Sequence, residues 1–96
     1  MKLVGREILE AFTAKHADAR GWIASWVAEV ESAHWSTPHN VKARYASASL
    51  LAGNGVIFDV KGNTYRLEVR IAYRTSVVMV IWAGTHAEYS KRLREK

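Results

Sequence analysis

The spacing of apolar residues changes at Gly55 from the three- and four-residue steps of helices to the two-residue step of strands. The segments after this point that read as strands are VIFDV (56–60), YRLEVRIAY (65–73) and VVMVIWAGT (77–85). The turns between them, centred on Gly62-Asn63 and on Arg74–Ser76, are short enough for antiparallel hairpins. The C-terminal half of the chain therefore predicts a meander of three antiparallel strands.

The N-terminal half has helical spacing. GREILEAFTAKHA (5–17) predicts a first helix that carries Ile8, Leu9 and Phe12 on one side. Asp18 is the predicted N-cap of a second helix, because its carboxylate can accept backbone N–H bonds that would otherwise lack a partner. The second helix has one broad apolar stripe that faces a core, made of Trp22, Ile23, Trp26, Val27 and Val30.

Shorter elements complete the prediction. A third helix begins near Pro38, with Ser36 or Thr37 as its cap, and a loop follows through SASLLAGNG (47–55). MKLV (1–4) is predicted as a short edge strand, and HAEYSKRLREK (86–96) as a short basic helix or tail. Helices that precede a strand meander favour an α+β fold, in which the N-terminal helices pack on one face of a mainly antiparallel sheet.

The composition bounds the class of protein. The 96 residues suffice for one hydrophobic core, so a single domain, 1–96, is predicted. The lack of cysteine excludes a secreted disulfide scaffold, no apolar run approaches the roughly 20 residues that span a bilayer, and the N-terminus is unlike a signal peptide. We therefore expect a cytoplasmic protein that does not interact with membranes. The net charge of +5 slightly favours a polyanionic partner, although many small proteins are basic without binding nucleic acid.

The first hairpin has a register that the apolar pattern and the turn both support. Its core face pairs residues on either side of the turn, namely Val60 with Tyr65, Phe58 with Leu67 and Val56 with Val69. The outward face then places Asp59 opposite Arg66. The outward row of the second strand continues past Glu68 to Arg70, which is a further candidate to bind an RNA phosphate; the alternative is that this row is a solvated sheet face.

The second hairpin has two possible registers, because VVMVIWA is apolar on both faces. A three-residue loop sets Tyr73 opposite Val77 and Arg66 opposite Gly84, so that His86 shares the face of Arg66. A two-residue loop moves His86 beside Tyr65, onto the other face. In both registers His86 reaches the end of the sheet that also carries Lys61, Asn63 and Arg66.

This convergence suggests a site for a phosphate. Arg66 is the best candidate to grip one, because its planar guanidinium binds phosphate oxygens in pairs and stays protonated. His86 could move a proton to or from a ribose oxygen, and Tyr89, its helical neighbour, could stack on a base or relay a proton. Asn63 could present its amide.

Each of these side chains also has a purely structural interpretation. Arg66 could simply pair with Asp59 across the strands, which is a common and weak surface arrangement. His86 could be an ordinary surface residue, Tyr89 could anchor the last helix, and Asn63 could occupy a positive-φ turn position. The other histidines, which are His16, His34 and His39, lack the spacing of a metal site, so we predict no metal.

The motifs VIFDVKGNTYRL and GTHAEYSK, preceded by AHWSTPHNVKARYASAS, resemble the HigB family of bacterial type II toxins, within the RelE-like group. The resemblance covers nearly the whole chain. It implies a RelE-like fold and an mRNA interferase that cleaves mRNA in the ribosomal A site by attack of the ribose 2′-OH, without metal or cofactor. It also implies a cognate HigA-type antitoxin, whose helix-turn-helix takes the complex to its own promoter DNA.

The resemblance carries roles onto particular residues. It implies a phosphate grip for Lys61 and Arg66, acid–base or stacking roles for His86 and Tyr89, and a site position for Asn63. The chain departs from the family pattern at Thr64, where a basic residue is frequent, and at Ser90, where an acid is frequent. The alternative is a non-catalytic module whose basic face only docks RNA, the ribosome or a protein partner.

Overall fold

The computed structural model describes residues 1–94, and for Arg94 it describes the backbone alone. The chain is an α+β protein, as predicted. Its helices and strands, in chain order, are β1 (Lys2–Val4), α1 (Arg6–Lys15), α2 (Arg20–Ser32), α3 (Pro38–Arg44), β2 (Ser49–Leu50), β3 (Gly55–Val60), β4 (Tyr65–Ala72), β5 (Val77–Thr85) and α4 (His86–Arg94). Short 3-10 turns lie at Ala17–Ala19 and Ala52–Asn54. The predicted helix or tail is thus helical to Arg94, and its remaining positions, 95–96, lie outside the described residues.

The strands form one five-stranded sheet in the order β1-β5-β4-β3-β2. The predicted N-terminal edge strand is confirmed, and β1 runs parallel to β5. The predicted loop through 47–55 is wrong in part, because β2 pairs antiparallel with β3 at the other edge. Two residues are too few for an alternating pattern to show in the sequence.

The core lies between one face of the sheet and the N-terminal helices. Helix α1 contributes Leu9 and Phe12, while α2 contributes Trp26, whose ring meets that of Phe58 edge-on at a centroid distance of 5.5 Å. Trp26 and Phe58 are almost completely buried. An aromatic pair in this geometry adds about 0.5–1.5 kcal/mol to the stabilisation from burial alone. This packing sets α2 against β3, while α1 packs mainly on β5.

The start of α2 differs from the prediction. Asp18 does not cap α2; a 3-10 turn precedes the helix, and Ala19 stands at the N-cap. The Asp18 carboxylate instead accepts a hydrogen bond of 2.6 Å from the hydroxyl of Tyr65 in β4. A tertiary partner has therefore replaced the local one. For α3, the predicted start at Pro38 and the cap at Thr37 are confirmed.

The predicted register of the first hairpin is confirmed at every pair, including Asp59 opposite Arg66. Both loop lengths considered for the second hairpin, three residues and two, are wrong, since Ala72 pairs with Val77 and four residues form the turn. A β-bulge then leaves Ile81 unpaired, and the inserted residue shifts the register by one. Beyond the bulge Arg66 lies opposite Gly84, as the three-residue loop had predicted.

Candidate functional site

The β3–β4 turn and the junction between β5 and α4 meet at one end of the sheet. The backbone N–H of His86 donates to the carbonyl of Thr64 at 3.2 Å, which extends the strand pairing to the first residue of α4. The side chain of Thr64 donates in turn to the carbonyl of Lys61 at 3.1 Å and closes the turn. The position of His86 is therefore set by backbone pairing.

A reciprocal cap holds the first turn of α4. The Thr85 backbone N–H donates to Glu88 Oε1 at 2.8 Å, and the Glu88 N–H donates to Thr85 Oγ1 at 3.1 Å. The hydrogen bond that the Thr85 backbone N–H donates to the carboxylate is the main reason that the pKa of Glu88 lies below its ordinary value. Because His86 lies between the two capping residues, the cap also limits where its ring can lie.

Arg66 is the centre of the polar cluster at this end of the sheet. Its Nη2 donates to Asn63 Oδ1 at 2.6 Å and lies 2.9 Å from His86 Nδ1, while its Nη1 lies 3.3 Å from Asp59 Oδ1. Only 12% of the Arg66 side chain is exposed. Asp59, Asn63, Arg66 and His86 are hereafter called the Arg66 cluster. The structure thus brings together three of the residues that the sequence suggested for the site, and it confirms the predicted pairing of Arg66 with Asp59.

The contact between Arg66 and His86 defines the tautomer of the imidazole. A guanidinium can only donate hydrogen bonds, so His86 Nδ1 must accept, and the ring proton is assigned to Nε2. His86 is exposed, so its Nε2–H is accessible to a ligand. The Nδ1 lone pair becomes available to a ligand only when Arg66 moves its Nη2 elsewhere.

Lys61 lies outside the Arg66 cluster. Its Nζ lies 3.7 Å from Asp18 Oδ2, on the helix side of the sheet. The positive-φ positions of the turn are Lys61 (φ 51°) and Gly62 (φ 67°), so the interpretation of Asn63 as a positive-φ residue is wrong. At Lys61 the backbone is left-handed, and the side chain lies on the helix side of the sheet and not on the face that carries Arg66.

Tyr89 and Arg70 also lie apart from the Arg66 cluster. The Tyr89 ring packs on Trp82 at a centroid distance of 5.9 Å. On the same outward face Arg92 lies 5.4 Å from the Trp82 ring centroid and pairs with Glu68 at 3.2 Å, so α4 is anchored to the sheet by aromatic and ionic contacts. Arg70 is exposed and lies four residues from Arg66, about 13 Å along the strand.

Sequence reasoning missed the link between Asp18 and Tyr65. The hydrogen bond from Tyr65 lowers the pKa of Asp18, and the same bond raises the pKa of Tyr65. The Tyr65 ring also packs edge-on against Phe12, with centroids 5.2 Å apart. A contact between residues 47 positions apart has no local signal in the sequence.

Within residues 1–94, no group of three or more His, Cys, Asp or Glu side chains is arranged to hold a metal ion. That the proposed site works without a metal stays a prediction. No helix in the described part of the chain combines the length and the apolar character that crossing a membrane requires.

Comparison of the chain with curated proteins found no match. A family model, described as the HigB toxin, the RelE-like toxic component of a toxin–antitoxin system, matches residues 19–92. The matched region runs from the start of α2 into α4 and includes the whole Arg66 cluster. Since it covers more than half of the chain, the protein belongs to the HigB toxin family and has the RelE-like fold of a toxin–antitoxin toxin.

Proposed function

We propose that this toxin is a ribosome-dependent mRNA endoribonuclease that acts in the cytoplasm on mRNA in the ribosomal A site. The observation that carries the proposal is the 2.9 Å contact between Arg66 Nη2 and His86 Nδ1 at the end of the sheet. It puts a permanent cation and an imidazole, which can accept or donate a proton, within reach of one phosphodiester.

The cluster suggests how substrate would start the reaction. A phosphate oxygen is a stronger acceptor for a guanidinium than a neutral imidazole, so a bound phosphodiester draws Arg66 away from His86 Nδ1. The freed Nδ1 accepts the proton of the ribose 2′-OH while the 2′ oxygen attacks the adjacent phosphorus. The bond from that phosphorus to the 5′ oxygen of the next nucleotide breaks, the 5′ oxygen takes up a proton from water, and a 2′,3′-cyclic phosphate remains. Arg66 then faces the phosphorane oxygens, on which negative charge accumulates in the transition state.

The remaining candidates would bind RNA around this step. Arg66 uses the oxygen of the Asn63 amide, so the Asn63 N–H groups can donate to a phosphate oxygen. Tyr89, packed on Trp82, can stack on a base or relay a proton one helical turn from His86. Lys61 and Arg70 lie farther out and would contact phosphates of neighbouring nucleotides.

Membership in the family supports a cognate antitoxin as the partner, and we propose one of the HigA type. Such an antitoxin silences the toxin and supplies the helix-turn-helix through which the complex binds promoter DNA. No metal or other cofactor takes part in the proposed reaction.

A non-catalytic function is the second candidate, in which the basic surface only docks RNA, the ribosome or a protein. The observation that favours it is the pairing of Arg66 with Asp59, because an arginine whose charge is already compensated on the sheet needs no catalytic role.

Cleavage of mRNA in a translating extract separates the two candidates. We expect the wild type to cut ribosome-bound mRNA and Arg66→Ala and His86→Ala to lose about a hundredfold or more in rate. Arg74→Ala, in the exposed β4–β5 turn at the other end of the sheet, is the matched control and should cleave normally. Intact mRNA with the wild type would rule out the nuclease. Equal cleavage by all three variants would support the nuclease activity and would show that Arg66 and His86 are not its catalytic residues.

A further inference from the structure

A groove of about 640 Å³ lies on the helix side of the sheet, between α2, the end of α3 and the β3–β4 turn. Its walls include Trp22 and Trp26 from α2, Arg44 and Tyr45 at the end of α3, and Asp18 and Lys61 beside the turn. Its volume is in the range of sites that bind small ligands. No residue of the Arg66 cluster lines it, so it is a separate feature.

The groove presents aromatic rings to solvent. Trp22 and Tyr45 are both half-buried, with centroids 6.1 Å apart and planes tilted by 50°. The guanidinium of Arg44 lies 4.8 Å from the Tyr45 ring centroid. Partly exposed aromatic rings next to an arginine are the surface on which proteins stack bases of single-stranded nucleic acid.

Each basic side chain in the walls of the groove is paired with a carboxylate. Lys61 lies beside the carboxylate of Asp18, and both side chains are about half exposed, at 45% and 54%. Arg44 donates to Glu29 Oε1 from Nε at 3.0 Å and from Nη2 at 2.7 Å. Since the charges largely cancel, these walls suit a base, whose edge offers donors and acceptors together, better than an isolated phosphate.

The groove and the Arg66 cluster are joined by the β3–β4 turn. Tyr65 and Arg66 are consecutive in β4, so their side chains leave the strand on opposite faces. Tyr65 reaches Asp18 in the groove, whereas Arg66 reaches Asn63 and His86 in the cluster. An RNA strand that lies across the turn at residues 61–64 would therefore pass from the groove to the Arg66 cluster, and Lys61 would lie beside it at the turn.

We propose that this groove binds a base of the RNA that lies beyond the two nucleotides joined by the phosphate that Arg66 holds. The base stacks on Trp22 and Tyr45, while Asp18 accepts from its edge and Lys61 contacts the backbone at the crossing. This inference rests on the proposed function for the identity of the ligand as single-stranded RNA. It adds a substrate subsite on the opposite face of the sheet from the reacting phosphate.

Binding of short RNA to the free protein tests the subsite. The probes are 2′-O-methyl RNA, which cannot be cleaved by 2′-OH attack, as a dinucleotide and as a hexanucleotide. Trp22→Leu keeps the apolar contact and removes the stacking ring, and Tyr73→Leu, in the β4–β5 turn at the far end of the sheet, is the matched control. We expect Trp22→Leu to weaken hexanucleotide binding about tenfold and to leave dinucleotide binding unchanged.

Nuclear magnetic resonance of the wild type supplies a readout that does not depend on any variant. We expect the hexanucleotide to shift the indole N–H signals of Trp22 and Trp26 together with the Asn63 side-chain amide, and the dinucleotide to shift only the Asn63 amide. A hexanucleotide that shifts Asn63 but not Trp22 would overturn the subsite and leave the proposed function intact. A Trp22 signal that responds to the antitoxin and not to RNA would also overturn it, because the occupant would then be protein.

Failure of the proposed function has a different signature. If the wild type leaves mRNA intact on ribosomes, the proposed nuclease activity is wrong. The subsite is still judged by binding alone, and a length-dependent loss in Trp22→Leu would support it as an RNA-binding groove. If Trp22→Leu binds the hexanucleotide as tightly as the wild type and Tyr73→Leu do, the inference is wrong whatever the cleavage assay gives.

Discussion

Arg66 Nη2 lies 2.9 Å from Nδ1 of His86, although the two residues are 20 positions apart in the chain. The contact depends on the backbone bond from His86 to Thr64 and on the pairing of Arg66 with Gly84. It joins the cation that can hold a phosphate to the ring that can move a proton.

The geometry of the Arg66 guanidinium is expected to matter more than its charge. Arg66→Lys retains a cation but has no planar fork, so it cannot hold Asn63, Asp59 and a phosphate at once. We expect mRNA cleavage to fall at least about tenfold in Arg66→Lys and about a hundredfold in Arg66→Ala. Single-turnover cleavage on stalled ribosomes measures both, and a Lys variant as active as the wild type would show that charge alone suffices.

Asp59 is expected to restrain Arg66 and to compete with RNA for it. Its Oδ1 lies 3.3 Å from Arg66 Nη1, and 27% of its side chain is exposed. Asp59→Asn removes the negative charge and retains the shape, so RNA binding should tighten while the guanidinium becomes less well oriented. We expect a lower KM together with a lower kcat, each by a few fold. An unchanged KM would show that this carboxylate does not compete with the phosphate. Glu68→Gln, which loses the partner of Arg92 on the same strand, is the matched control.

The hydrogen bond between Tyr65 and Asp18 should give stability a defined pH window. It lowers the pKa of Asp18 from its ordinary 3.8 and raises the pKa of Tyr65 from its ordinary 10.0. The contribution of Asp18 is therefore fully present above the unfolded pKa and is lost as the pH falls through the lower folded pKa. The contribution of Tyr65 is present below its unfolded pKa and is lost as the pH rises through the higher folded pKa.

Tyr65→Phe removes the hydroxyl and keeps the ring against Phe12, so it isolates this bond. We expect the variant to melt at a lower temperature than the wild type between about pH 5 and pH 9, with the difference shrinking below about pH 4 and above about pH 10. Thermal melts across this range measure it. A difference that does not vary with pH would mean that the loss comes from packing and not from the ionised partner.

Gly84 is expected to tolerate no larger residue. A Cβ at this position would lie 2.7 Å from the Trp82 ring and 2.8 Å from Glu88 Oε1, which is the atom that caps α4. We expect Gly84→Ala to destabilise the fold by about 1–3 kcal/mol, as overpacking does. Gly21→Ala is the control, because nothing lies within 4 Å of its Cβ and alanine loses less backbone entropy than glycine when the first turn of α2 forms. Urea unfolding of both variants should give changes of opposite sign.

The amino-acid sequence by itself determined the main helices and strands, apart from β2, and the register of the first hairpin. Alternation along β3 and β4, together with the turn at Gly62, decided which residues enter the core, because successive side chains of a strand point to opposite faces. The same alternation put Asp59 opposite Arg66, and the apolar stripe of α2 marked its buried side. These are local properties of the backbone, which the order of residues specifies directly.

The tertiary structure decided where the polar side chains act. Asp18 accepts a hydrogen bond from Tyr65 and does not cap α2, and Lys61 lies on the helix side of the sheet. The sequence did not predict these contacts, because contacts between distant segments leave no periodic pattern in it. β5 is apolar on both faces, so only packing could choose its register, and the bulge at Ile81 brings Gly84 opposite Arg66 and His86 to its guanidinium. The sequence thus located the end of the sheet where the candidate site lies, and the packing of β5 and α4 selected which residues meet there.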